Sequence, residues 1–151
     1  MNSRPTFRRA VRADTSAIAQ LLADDPLGSG REDPSDPAPY LAAFDRIDAD
    51  PRTLLAVAEI DGAVLGCLQM TFIPGLSNKG AEFALVQAVR VDAALRGQGV
   101  GQAFMQWAMD EARARGCAAI ELFTHNTRTD AQRFYDRLGF VASHVGMRRA
   151  L

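Results

Sequence analysis

Residues 96–101 read Arg-Gly-Gln-Gly-Val-Gly, three glycines in five positions, at the seam between an apolar run and a stretch with helical periodicity. Such a seam leaves the first amides of the helix without intrahelical acceptors and sets them at the positive end of its dipole. Glycines there admit an anion closely and allow positive φ. The chemistry that suits this spacing is phosphate binding on the amides of residues 97–102, with Arg96 as a cation at the rim. A tight turn whose glycines serve packing alone is the alternative. A nucleotide-hydrolase phosphate loop is excluded, because Gly101 is followed by Gln102 and Ala103 where that loop needs Lys and Ser or Thr. A dinucleotide fingerprint needs G-x-G-x-x-G, whereas this is G-x-G-x-G. Glu121 lies at a suggestive distance, but the thirty residues after it are too few to finish a doubly wound sheet.

The remaining side chains with chemistry in them are scattered. His125 is a candidate base because histidine as a residue type ordinarily changes charge near neutral pH, the alternative being a solvated loop histidine. Cys67 and Cys117 lie in apolar stretches without CxxC or His-rich spacing, which predicts ordinary buried thiols and no metal. A net charge of −1 argues against nucleic acid and anionic membrane as partners and favours a small molecule. No apolar run approaches the roughly 18 residues of a membrane span, and the N-terminal residues lack a signal-peptide core. A cytoplasmic protein is expected.

The elements that must position these groups follow from periodicity. Residues 6–11 alternate like a short strand, and Asp14 is placed to cap a helix whose Ile18, Leu21 and Leu22 share a face. Residues 24–39 hold most of the prolines and set five acids against Arg31, which reads as a mobile loop. Residues 40–48 predict a helix. Residues 53–73 predict two strands joined at Asp61-Gly62, and residues 82–91 a third that runs into the glycine turn. Beyond the turn, Val100, Phe104, Trp107 and Ala108 mark one face of a helix closed by Gly116. A buried strand over 118–123, a helix over 130–138 ended by Gly139, and a closing strand over 140–150 complete the chain. Its 151 residues, 48% of them hydrophobic, suit one domain, 1–151.

Strand, "RGQGVG", long helix, strand and "AQRFYDRLGF", in that order, resemble the GCN5-related N-acetyltransferase (GNAT) family, whose acyl-CoA signature Arg/Gln-x-x-Gly-x-Gly/Ala is met by Arg96, Gly99 and Gly101. The resemblance covers essentially the whole chain. It implies an α/β fold of the acyl-CoA N-acyltransferase type, a mixed sheet splayed open in the middle and flanked by about four helices, with pantetheine in the gap. The implied reaction is direct transfer of acetyl from acetyl-CoA, a cosubstrate, to a primary amine of a small molecule or peptide, without a metal. By resemblance the cofactor contacts are Val89, Arg90, Val91, Arg96, Gly97, Gln98, Gly99, Val100, Gly101, Gln102 and Arg128. Tyr135 stands at the family's tyrosine position, as the acid that protonates the leaving sulfur or as packing beside Phe134. Many relatives carry a glutamate before the glycine turn to take the amine's proton, but this chain has Gln87. An amide is no base near neutral pH; it can orient a water, with Glu82 or Glu121 as further candidates. An acyl-CoA-binding module with little catalysis therefore stays open, as does a homodimer. The acidic loop 24–36 either borders a cationic acceptor or is merely solvated.

Overall fold

Asp61 and Gly62 take positive φ, 52° and 80°, and make the tight turn their sequence predicts. In the computed structural model, which describes residues 3–151, this turn joins β2 (Thr53–Ile60) to β3 (Ala63–Ile73) as an antiparallel pair. β1 (Thr6–Arg9) adds to the far side of β2, and β4 (Phe83–Val91) pairs antiparallel with β3. The sheet runs β1-β2-β3-β4-β5, with β5 (Ala119–Leu122) reached from β4 through α4 (Val100–Ala114). Such a helical crossover brings a chain back parallel, so the sheet is mixed.

Side chains at paired positions point to the same face. Ala56, Leu68, Met70 and Val86 thus share one side of the sheet and are buried there. α4 brings Phe104, Met105, Ala108 and Ala112 into the core, with Phe104 stacked on Phe7 at 5.0 Å and Trp107 tilted against both. Val57 and Cys67 point the other way, into a cluster with Ile18 and Leu21 of α1 (Thr15–Ala23) and Phe44 of α2 (Ala38–Ala49). Gly116, at φ 84°, closes α4, its amide on Arg113 O at 2.9 Å and that of Cys117 on Ala112 O at 3.0 Å. A further single turn, α3 (Ser77–Gly80), follows β3.

The chain divides into two units, Met1–Glu121 and Leu122–Leu151. The second holds α5 (Thr129–Arg137), closed at Gly139 with φ 88°. The expected closing strand over 140–150 is absent. A strand exists only through its ladder; here the Ser143 amide donates to Val141 O at 2.9 Å, the chain bends at His144, and residues 140–151 join no strand. β5 is shorter than expected and alternates exposed with half-buried residues, so it is not a buried strand. Asp14 does not cap α1 through its side chain. Its carboxylate accepts from Val11 N at 2.8 Å and from both terminal nitrogens of Arg8 at 2.7 and 3.1 Å, because a guanidinium and a tight turn compete for it. Nor is the loop after α1 loosely tethered. Its backbone closes successive turns on Asp25 and Gly28, and Tyr40 Oη bridges Asp33 N and the Glu32 carboxylate, each at 2.8 Å.

Candidate functional site

The turn between β4 and α4 is built from local hydrogen bonds. Asp92 accepts from Ala94 N at 2.8 Å and opens a short 3-10 turn over Ala93–Leu95; Gln98 then ties itself back through Nε2 to Ala94 O at 2.9 Å. Gly97 and Gly99 take φ of 76° and 77°, which L side chains rarely adopt, and a Cβ on either meets nothing within 4 Å. Backbone conformation and open space, not packing, account for these two glycines. The first bond of α4 is Ala103 N to Gly99 O at 3.0 Å, so the amides of Val100, Gly101 and Gln102 precede it. The Val100 side chain is buried and pins the helix start, while Arg96, Gln98 and Gln102 are exposed around it. An open, amide-rich helix terminus with a cation beside it fits a pyrophosphate.

On β4 the register slips. Cys67 faces Arg90 and Gln69 faces Gln87, so two steps on β3 meet three on β4. The extra residue is a β-bulge, with Ala88 at φ 53°. It turns the backbone around Val89 out of the regular ladder, in the stretch that the family resemblance implies would meet pantetheine. The Arg90 side chain does not reach toward the glycine turn. It is 15% exposed and folds under the bulge, with Nε 2.8 Å from the 5% exposed Asp25 carboxylate and Nη1 donating to Val89 O at 2.8 Å. The Nε contact is a close ion pair rather than an aligned hydrogen bond. Nε and Nη1 of Arg90 are thus engaged within the chain. Neither the bulge nor the Asp25 partnership was anticipated. A cation inside an apolar strand was the one available signal, and it calls for a buried partner without saying which.

The acid and base candidates are distributed unevenly. Gln87 is exposed on the face that carries Gln69 and Arg90. Glu82 is held by Arg115 at 2.9 Å, and Glu121 is exposed on β5. Burial pushes the Cys67 thiol up to about 12, so it holds its proton and serves as an apolar side chain against Ala88 O. In the second unit, Tyr135 is half-buried between Phe134 and Phe140, edge-on to each at 5.1 and 5.8 Å. His125 is exposed, its Nδ1 2.7 Å from Thr127 Oγ1, and half-buried Arg128 begins α5, its carbonyl accepting from Gln132 N. A cavity of about 380 Å³ lies between Arg12, Ser16, Pro37 and Tyr40, among others, and includes no residue of β4 or the turn. Among the described residues no cluster of His, Cys, Asp or Glu could hold a metal, and no helix is long and apolar enough to cross a membrane.

Comparison with known proteins agrees with this frame. The family model described as "Acetyltransferase (GNAT) family" matches residues 15–140. An aminoalkylphosphonate N-acetyltransferase of Salmonella typhimurium is 36% identical over 104 residues, 68% of this chain and 66% of its own. A streptothricin acetyltransferase of Streptomyces lavendulae is 30% identical over 140 residues, 89% of this chain and 68% of its own. The chain thus spans about two thirds of the length of each. A solved structure described as a transcriptional regulator from Bacillus halodurans C-125 superposes with a TM-score of 0.94 at 40% identity, covering 98% of this chain and 100% of that one. With that family model matching residues 15–140 and a mixed five-stranded sheet in the order β1-β2-β3-β4-β5, the chain belongs to the GNAT family and has the acyl-CoA N-acyltransferase fold.

Proposed function

We propose that this protein is an N-acetyltransferase that moves the acetyl group of acetyl-CoA to a primary amine of a small molecule or peptide. The observation that carries the reading is the open helix terminus of α4, where Gly97 and Gly99 hold a positive-φ backbone with clear space in front of the amides of residues 97–102. In this reading the pyrophosphate sits on those amides with Arg96 beside it, and backbone groups of Val89 and Val91 meet the pantetheine and the thioester oxygen. The amine nitrogen attacks the thioester carbon, the carbon–sulfur bond breaks, and the thiolate takes a proton from Tyr135. Gln87 orients a water that carries away the amine's proton, since its amide takes none itself.

Arg128 is assigned to the phosphates by resemblance. The relatives act, by their names, on an aminoalkylphosphonate and on streptothricin, which supports a small amine-bearing acceptor. Calorimetric titration with acetyl-CoA, followed by detection of free CoA with a thiol reagent across a panel of polyamines, amino sugars, aminoalkylphosphonates and peptides, tests the proposal. Binding with amine-dependent CoA release is expected. Binding without release from any amine leaves an acyl-CoA-binding module, and no binding removes the reading.

A further inference from the structure

Charged groups are rarely buried in strands, and Arg90 is largely buried on β4, beside the bulge at Ala88. Its guanidinium spans two structures. Nη1 holds Val89 O, the carbonyl displaced by the bulge, and Nε pairs with Asp25. Asp25 in turn anchors the start of the loop between α1 and α2: its Oδ1 accepts from Leu27 N at 2.8 Å, and its carbonyl accepts from Gly28 N at 2.8 Å and Ser29 N at 2.9 Å. The fold at that point is tight, because a Cβ on Gly28 would stand 2.0 Å from Leu22 O. One buried carboxylate is therefore bonded to a loop and paired with the cation that holds the bulge. Separating the pair leaves an uncompensated charge, which is strongly unfavourable, whereas an apolar pair of similar volume is commonly neutral or stabilising. Packing alone does not require an ion pair here.

We infer that Asp25 and Arg90 are positioning residues: their ion pair fixes the β4 bulge, and with it the backbone groups of Val89 and Val91, and makes that geometry depend on the loop after α1. The kinetic part of this inference rests on the acetyltransferase reading; the structural part does not. Misplacing a reacting carbonyl by about 1 Å costs roughly 10²-fold in rate, so a relaxed bulge lowers kcat and weakens acetyl-CoA even in a stable protein.

The decisive variant joins Asp25→Leu to Arg90→Met, which keeps the volume and removes the pair. Its Tm is expected near that of the native chain, its kcat/KM for acetyl-CoA at least about tenfold lower, and amide exchange faster in peptides covering both residues 86–91 and 25–29. Arg90→Lys, which keeps a charge opposite Asp25 but loses the guanidinium's second contact, is expected to show the same exchange pattern and an intermediate rate. If the double variant does not fold, Arg90→Lys carries the test. Native acetyl-CoA affinity, kcat and exchange in a folded variant would overturn the inference and leave the pair to packing. Should the native chain fail to bind acetyl-CoA, the acetyltransferase reading falls, and exchange at 25–29 in response to the change at Arg90 alone still decides whether strand and loop are coupled.

Discussion

At the scale of single residues, the glycine turn separates two requirements. Gly97 and Gly99 need positive φ, so any substitution there strains the backbone, whereas Gly101 lies within α4 and does not. Gly101→Asp is therefore the cleaner probe: it puts a carboxylate where the pyrophosphate would lie without a conformational penalty of the left-handed kind. We expect acetyl-CoA affinity to fall at least about tenfold, the cost of roughly 1.4 kcal/mol, with the fold intact by circular dichroism; unchanged affinity removes the phosphate from this turn. For Tyr135 the proton is needed only as sulfur leaves. Tyr135→Phe should bind acetyl-CoA like the native chain and lose about 10²- to 10⁴-fold in kcat. A variant with native kcat while chemistry limits the rate would return the residue to its packing with Phe134 and Phe140.

At the scale of elements, charge networks fasten the start of the chain to the sheet. Arg8 on β1 bonds Asp14 ahead of α1 and Glu59 on β2, with contacts from 2.7 to 3.1 Å. The hydrogen bonds from Arg8, more than any other influence, hold the Asp14 carboxyl below the usual aspartate range. A carboxyl depressed in the folded state contributes stability above its ordinary pKa, and that contribution is lost as pH falls through the folded value. Asp14→Asn should therefore cost about 1 kcal/mol at pH 7, a modest figure because Arg8 is partly in water. The gap should close on acidification, with native Tm falling more steeply than that of the variant below about pH 4. Parallel melting curves from neutral to acid pH would show that Asp14 adds no linked stability. The same competition explains why a helix cap read from sequence is not one here. Ser, Asp and their like favour helix starts when nothing stronger is near, and Arg8, six residues earlier in sequence, reaches this aspartate across a turn.

At the scale of the molecule, the loop between α1 and α2 carries five acids, but they are not equally free to act on a substrate. Asp25 is buried against Arg90, and Glu32 is engaged by Tyr40 and approached by Arg31 at 3.6 Å. Asp24, Asp33 and Asp36 are left exposed or partly so. If they draw a cationic amine toward the site, kcat/KM should fall as ionic strength rises past about 0.1 M, where the screening length is roughly 10 Å, and kcat should change less. Asp33→Asn with Asp36→Asn should flatten that salt dependence, and identical salt curves would exclude steering by the loop. With Gln87 in place of a carboxylate the amine must give its proton largely to solvent, so the rate should climb with pH toward the amine's own value, about 10.4 for a lysine-like group. A plateau near neutrality would reveal a side-chain base.

What the sequence determined by itself was whatever depends on neighbours along the chain. The Asp61-Gly62 hairpin, the amphipathic α4 with Gly116 behind it, and the glycine turn were legible because positive φ and a period of 3.6 leave local signatures. The family resemblance rested on those same local motifs in their order. Tertiary structure alone decided which distant groups meet. The bulge at Ala88 depends on the register between two strands, and the pairing of Asp25 with Arg90 spans 65 positions of sequence. The apolar residues of 140–150 suggested a closing strand, but a strand also needs a ladder partner, and that is a property of the surroundings rather than of the segment.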